Sequence, residues 1–362
     1  ITVRTSTTSI EWNDTKINSI DTPGHMDFLA EVERTFRMLD GSILVVSAKE
    51  GIQAQTRLLF NVLQQLEIPT IIFINKIDRE GVNLPLLYKD IAISLSPNTF
   101  IMQHVDGKEL SSKCSTTNIG EEYKEQILEH DDNLLERYLN DEKLSDSDYW
   151  DAMVKSIHLA KSYPVFHGSA MFGLGVQELL NAITTFSQPR INPSEALSAY
   201  VYKIEHNRKE QKRAYLKIIS GGLKTRKLYK LNGSERTIKF GSLKTFHASK
   251  EIDANEIFVN DIAIINNAND LLVGDYLGAA PILMDELNIP SPALQSSIHP
   301  KDVKDRSKLI SAMNILSIED PSLSFQLNSD NNELEMALYG ATQMEVILTV
   351  LEERFAVEAY FE

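Results

Sequence analysis

A chain of 362 residues with 43% hydrophobic and 24% charged residues has the composition of a globular protein of two or three domains. No apolar run reaches the roughly 18 to 20 residues needed for a membrane-spanning helix, and the N-terminus lacks the basic-then-apolar pattern of a secretory signal, so no membrane partner is expected. A single cysteine, Cys114, excludes an internal disulfide and suits a reducing cytoplasm, and eight histidines without partners at ligand spacing argue against a structural zinc site.

In chain order, Lys16 to Ile20 predicts a short strand ending at Asp21. Met26 to Leu39 predicts an amphipathic helix with Leu29, Val32, Phe36 and Leu39 on one face. Ser42 to Val46 reads as a buried strand, Gln53 to Leu66 as a second helix, and Thr70 to Ile74 as a β-branched strand. This alternation predicts a mostly parallel, doubly wound α/β sheet with helices on both faces. The polar, mainly helical stretch at about 83–163 reads as an insertion. The sheet resumes at Pro164 to Phe166, and Val176 to Phe186 closes a first domain over 1–190.

After a linker at 188–193, residues 197–285 carry short strand patterns with turn signals at Gly221-Gly222, Asn232-Gly233 and Gly274-Asp275, predicting a β-barrel. A Pro-bearing linker leads to 303–362. There Ser307 to Ile318 and Met344 to Phe355 read as helices and Leu323 to Leu327 and Leu334 to Leu338 as strands, a small α+β sandwich.

Three short motifs bear chemistry. Asp21-Thr22-Pro23-Gly24-His25 falls where a strand passes into a helix, the usual place for ligand chemistry in an open α/β sheet. A carboxylate there can hold a water on Mg²⁺, a glycine lets its N–H approach a terminal phosphate, and His25 would lie beside an attacking water. The same residues also suit a plain turn with Asp21 as a cap. Asn75-Lys76-Ile77-Asp78 follows a hydrophobic strand. Asp78 can accept two hydrogen bonds from guanine that adenine does not offer, Asn75 can tie neighbouring loops, and the Lys76 stem can cover the base. Gly168-Ser169-Ala170 follows the next strand, where small residues let backbone N–H groups reach the guanine oxygen. The order of the three motifs gives the reading its weight.

A G-x-x-x-x-G-K-[ST] phosphate loop occurs nowhere in the chain. It is expected upstream of residue 1, together with the first strand of the sheet, because a sheet without that strand exposes an unpaired edge. The net charge of −15 hides a basic block: 14 Lys and Arg stand against three Glu between Val201 and Lys250, a local net of +11. Within it Lys203, Arg208, Lys209, Lys212 and Arg213 are candidate phosphate contacts for an RNA, or a solvated face balancing acidic neighbours. Tyr200, Tyr202 and Tyr215, at strand spacing among apolar residues, favour core over base stacking.

These motifs, with the DTPGHMDFLAEVER run from Asp21 to Arg34, KEGIQAQT from Lys49 to Thr56, IPTIIFINKID from Ile68 to Asp78, FHGSA from Phe166 to Ala170, IEDPSL from Ile318 to Leu323 and LYGATQME from Leu338 to Glu345, carry a resemblance. The sequence resembles the translational GTPases related to elongation factor G, most closely the tetracycline-resistance ribosomal protection proteins. The resemblance implies GTP and Mg²⁺ as cofactors, with Asp21 in the second shell of Mg²⁺ and Thr2 as its threonine ligand. It implies the Gly24 N–H at the γ-phosphate and His25 orienting the hydrolytic water. Asn75, Lys76, Asp78, Ser169 and Ala170 would hold guanine. It further implies a monomer whose basic barrel faces small-subunit ribosomal RNA. The family's C-terminal domains, which displace the drug, are not in the sequence, so the chain is expected to be a core fragment, inactive or weakly active alone. An elongation- or release-factor GTPase and a nucleotide-independent ribosome- or RNA-binding module are the competing expectations.

Overall fold

In the computed structural model, which describes residues 5–36, 38–106, 109–112, 118–189, 196–207, 210–280, 292, 294–328 and 333–362, the first elements are a hairpin of β1 (Ser6–Trp12) and β2 (Thr15–Asp21). Its turn places Asn13 and Asp14 at φ 45° and 57°, a region that short polar side chains enter most readily. The polar alternation of β1 carried no strand signal. The chain then divides into two compact units, one of residues 12–15 and 39–190, the other of the first 11 residues, 16–38 and 191–362. The expected 1–190 domain is thus split, and Asp21 and His25 group with the later residues.

In the first of these units, β3 (Ser42–Ser47), α2 (Ala54–Gln65), β4 (Thr70–Asn75), α3 (Leu84–Ser94) and β5 (Thr99–Ile101) come first. A hairpin of β6 (Gln103–Asp106) and β7 (Glu109–Ser112) follows, then α4 (Glu121–Leu128), α5 (Asp132–Leu139), α6 (Asp146–His158), β8 (Tyr163–His167) and α7 (Val176–Phe186). The sheet runs β3-β4-β8-β5 with every pairing parallel. Central β4 is apolar from Ile71 to Ile74 and buried over both faces there. Phe60, Ile72, Ile74, Leu87 and Ile91 pack in one core, and Ile71, Phe73, Phe100 and Phe166 in another with residues of α4, α6 and α7.

Two expectations need correction. The insertion does not begin at 83: Leu87 and Ile91 of α3 are core, and β5 is a sheet strand, its three residues too short to show a period. Nor is β3 buried on both faces. Ile43 and Val45 are 38% and 57% exposed on this strand, which among the described residues pairs with β4 alone.

The second unit contains a 3₁₀ turn at Met26–Phe28 followed by α1 (Leu29–Phe36), shorter than the predicted helix. Ten strands then follow: β9 (Ser198–His206), β10 (Lys212–Ser220), β11 (Gly222–Lys224), β12 (Tyr229–Lys230), β13 (Thr237–Ile238), β14 (Leu243–His247), β15 (Lys250–Ala254), β16 (Glu256–Phe258), β17 (Ile262–Asn266) and β18 (Tyr276–Gly278). Six form an antiparallel sheet, β15-β14-β17-β10-β9-β18, which with two small ribbons encloses the barrel core. Tyr200, Tyr202 and Tyr215 are buried in a cluster with Phe246 and Ile264, a core role. The C-terminal part is an α+β sandwich. Helices α8 (Arg306–Glu319) and α9 (Ala341–Phe355) accompany a sheet of β20 (Gln326–Leu327), β21 (Leu334–Leu338), β19 (Leu294–Pro300) and β22 (Ala359–Phe361), in that order, around one hydrophobic core.

Candidate functional site

Two loops at the C-terminal ends of β4 and β8 meet. Asn75 ends β4, and its Oδ1 accepts from the Lys76 N–H at 2.8 Å and from the Ala170 N–H at 3.0 Å. One side chain therefore fixes both candidate guanine loops. The backbones join as well: Gly168 N–H donates to Ile74 O at 2.9 Å and Ile77 N–H to Gly168 O at 3.3 Å. Glycine is needed at 168, where a Cβ would collide with Leu174 O and stand 2.6 Å from Phe73 Cζ. Lys76 takes φ 65°, a conformation uncommon outside glycine and kept where surroundings impose it. Its Nζ lies 3.2 Å from Glu50 Oε1, a partner in the Lys49–Thr56 run for which no role was expected. The Asp78 side chain is 15% exposed, with Arg79 Nε 3.8 Å from Oδ2. Ser169 is buried, and its Oγ has no hydrogen-bond partner among the described residues. The structure thus brings Asn75, Lys76, Asp78, Ser169 and Ala170 to one end of one sheet, with a carboxylate of the kind a guanine edge requires and the N–H groups of Lys76, Ser169 and Ala170 donating to Asn75 Oδ1 and Leu174 O.

Beneath this loop lies His167, fully buried, its ring edge-on to Tyr88 at 5.3 Å, and neither ring nitrogen has a partner among the described residues. Burial alone pushes its pKa down to about 4. A base neutral in the folded chain but protonated in the unfolded one lowers stability below its unfolded pKa, about 6.5. The loss grows as pH falls from there to about 4, reaching about 3 kcal/mol. We expect denaturant titrations to show stability of the 39–190 unit falling across this window, and His167→Phe to remove most of that fall. An unchanged slope in the variant would place the acid sensitivity elsewhere.

Asp21, Gly24 and His25 lie in the other compact unit, following β2. Apart from its two chain neighbours, no atom of the described residues lies within 4 Å of where a Cβ on Gly24 would stand. His25 caps the 3₁₀ turn: its Nδ1 accepts from the Asp27 N–H at 3.2 Å. That bond needs an unprotonated Nδ1, which assigns the proton of the neutral ring to Nε2. The side chain is 43% exposed, so Nε2–H is available as a donor. Among the described residues no group of three or more His, Cys, Asp or Glu gathers to hold a metal. Mg²⁺ held mainly by phosphates and water needs fewer protein ligands, which fits Asp21 with a single threonine. Thr2 lies outside the described residues.

The proposed RNA contacts require revision. Lys203 is 15% exposed, paired with Glu205 at 3.1 Å and bonded to Thr5 O at 2.8 Å. Arg213 is 17% exposed between Glu205 and Glu251, at 3.3 and 2.5 Å. Lys212 is buried, and desolvation lowers its pKa. Lys203 and Arg213 are thus engaged by partly exposed carboxylates and Lys212 is buried, which leaves none of the three a freely exposed cation; Arg208 and Lys209 lie outside the described residues. Exposed instead are Arg226, Lys227 and Lys239, which carry no ion pair among the described residues and are brought near one another by the Arg226 N–H to Phe240 O bond of 2.8 Å.

Known proteins place this arrangement. Residues 1–189 match the family model of the elongation factor Tu GTP binding domain, and residues 289–362 match elongation factor G domain III. The tetracycline resistance protein TetM of Ureaplasma urealyticum is 38% identical over 363 residues, covering 99% of this chain and 56% of that protein. TetP of Clostridium perfringens is 33% identical over 369 residues, covering 100% and 56%. The chain thus spans about half the length of the curated relatives it matches. A crystal structure of a Thermus thermophilus protein shares the fold, with a TM-score of 0.83 at 21% identity over 99% of this chain and 59% of that one. No helix among the described residues is long and apolar enough to cross a membrane. With its guanine-type loops joined through Asn75 and an elongation factor G third domain later in the sequence, the chain belongs to the translational GTPases related to elongation factor G.

Proposed function

We propose that the protein containing this chain is a ribosome-dependent GTPase that promotes release of tetracycline from the ribosome, acting as a cytoplasmic monomer. The observation that carries the nucleotide half is the Asn75 side chain bonded to both guanine loops. The tetracycline half is supported by the names of the similar proteins TetM and TetP. Asp78 accepts from the guanine ring N–H and amine, Lys76 covers the base, and the Ser169-Ala170 loop, held by its own bonds to Leu174 O and Asn75 Oδ1, lies against the base. Gly24 N–H meets the γ-phosphate, Asp21 and Thr2 serve Mg²⁺, and His25 presents its Nε2 edge to the hydrolytic water.

The test is ribosome-stimulated GTP hydrolysis and tetracycline release by this chain beside a version extended at both ends with the flanking regions of a relative. Hydrolysis with drug release by the extended protein supports the reading. Hydrolysis without release favours an elongation-type factor, and salt-dependent ribosome binding without hydrolysis favours a binding module.

The ribosomal RNA contact of the barrel runs through Arg226, Lys227 and Lys239. Replacing all three by Gln is expected to weaken ribosome binding and to reduce the slope of log affinity against log salt by about two to three, near one per lost phosphate contact. Lys203→Gln and Arg213→Gln are expected to lower stability with little change in that slope. The opposite pattern in a salt series would return the contact to the strands β9 and β10.

A further inference from the structure

The turn that carries His25 is bound to the C-terminal α+β domain through one buried carboxylate. Asp27 keeps 12% of its side-chain surface exposed. Its Oδ2 accepts from the Gln343 N–H in the first turn of α9 at 3.3 Å, a cap supplied from 316 residues away in sequence. Gly340, the N-cap residue of α9, offers no side chain for that purpose. A Cβ on Gly340 would collide with both carboxylate oxygens of Asp27 and lie 2.6 Å from its Cγ. Since Gly340 sits at φ −178° and ψ −179°, its backbone would accept alanine; what requires glycine is the space the carboxylate occupies. The same residue faces His25. The Asp27 N–H donates to His25 Nδ1, and Asp27 Oδ1 lies 3.4 Å from that nitrogen. A carboxylate withdrawn from water is stabilised by the N–H groups and dipole of a 15-residue helix, so its position follows the helix. A second tie fixes the far end of α1, where Arg34 Nη2 donates to Asp320 Oδ1 at 2.8 Å.

We propose that Asp27 is a positioning residue through which the C-terminal domain sets the orientation of His25: with α9 seated, the carboxylate is drawn to Gly340 and Gln343 and Nδ1 is held on the Asp27 N–H; with α9 displaced, the carboxylate is released and the His25 ring loses its fixed tautomer. This deepens the reading of His25 as the residue that orients the hydrolytic water, and rests on it.

Two variants probe it from opposite sides. Asp27→Asn keeps the shape and removes the charge; Gly340→Ala keeps the helix and pushes the carboxylate away. In this chain, ring nitrogen resonances of His25, assigned by their loss in His25→Gln, are expected to report a predominantly Nε2–H ring that changes in both variants. Those of His158 and His167, in the other unit, should stay in place. In the extended protein on ribosomes, each variant is expected to lower kcat for GTP hydrolysis about tenfold with KM unchanged, and the double variant to fall no further than either alone. His25 resonances unmoved by Gly340→Ala, or effects on kcat that multiply in the double variant, would overturn the proposal. If hydrolysis is unaffected by His25→Ala while the resonances still respond, the coupling stands and the reading of His25 is what fails.

Discussion

Asp78→Asn is expected to turn the extended protein from a GTP-binding into an XTP-binding one. A carboxylate at this position accepts from both the ring N–H and the exocyclic amine of guanine. Asparagine can accept one of these and meets the other with its own N–H groups. Hydrogen bonds to charged groups contribute about 1.5 to 3 kcal/mol each, so disturbing the pair should weaken GTP at least about a hundredfold. Xanthine carries a carbonyl where guanine has its amine, and the new amide N–H can donate to it, restoring the match. The bonds through Asn75 and Gly168 that join this loop to its neighbour remain in the variant. Competition binding with GTP, XTP and ATP measures this directly. Undiminished preference for GTP in the variant would remove Asp78 from base recognition.

The ease of that reading comes from where its residues sit. Asn75 follows the apolar run from Ile71 to Ile74, and strand ends are visible in sequence because burial on both faces forces such a run to be apolar. That Asn75 would reach Ala170, 95 residues on, was inferable only from motif order. Other features were illegible for definite reasons. Phe100 is a fully buried sheet residue, but β5 is three residues long and flanked by polar sequence, too short for any period to appear. The basic block misled because charge counted along the chain ignores the register across it. Arg213 stands directly opposite Glu205 in the β9–β10 pairing, and its other partner, Glu251, lies one residue beyond the block. Asp27 and Gly340 were both inside recognised runs, but nothing local says that a glycine is there to leave room for a carboxylate from the other end of the chain.

His25→Ala is expected to separate chemistry from binding. The ring is 43% exposed, and among the described residues its hydrogen bond is the one it accepts from the Asp27 N–H. Removing it therefore costs the fold no more than a helix cap, about 1 kcal/mol. The proposed guanine contacts lie in the other unit, in loops His25 does not build, so affinity for GDP and GTP should remain within about twofold, the few tenths of a kcal/mol typical of surface changes. Hydrolysis on the ribosome should fall at least about a hundredfold, the lower range of what a positioned proton-transfer or water-orienting group contributes. His25→Gln, which keeps a donor but on a different stem, should fall between the two. Equilibrium nucleotide binding and single-turnover hydrolysis on the same preparations distinguish the cases. A collapse of affinity would make His25 a structural residue of its turn, whereas intact affinity with slow turnover is the mirror image of the Asp78→Asn result. The two substitutions together then assign recognition to the ends of β4 and β8 and chemistry to the turn after β2.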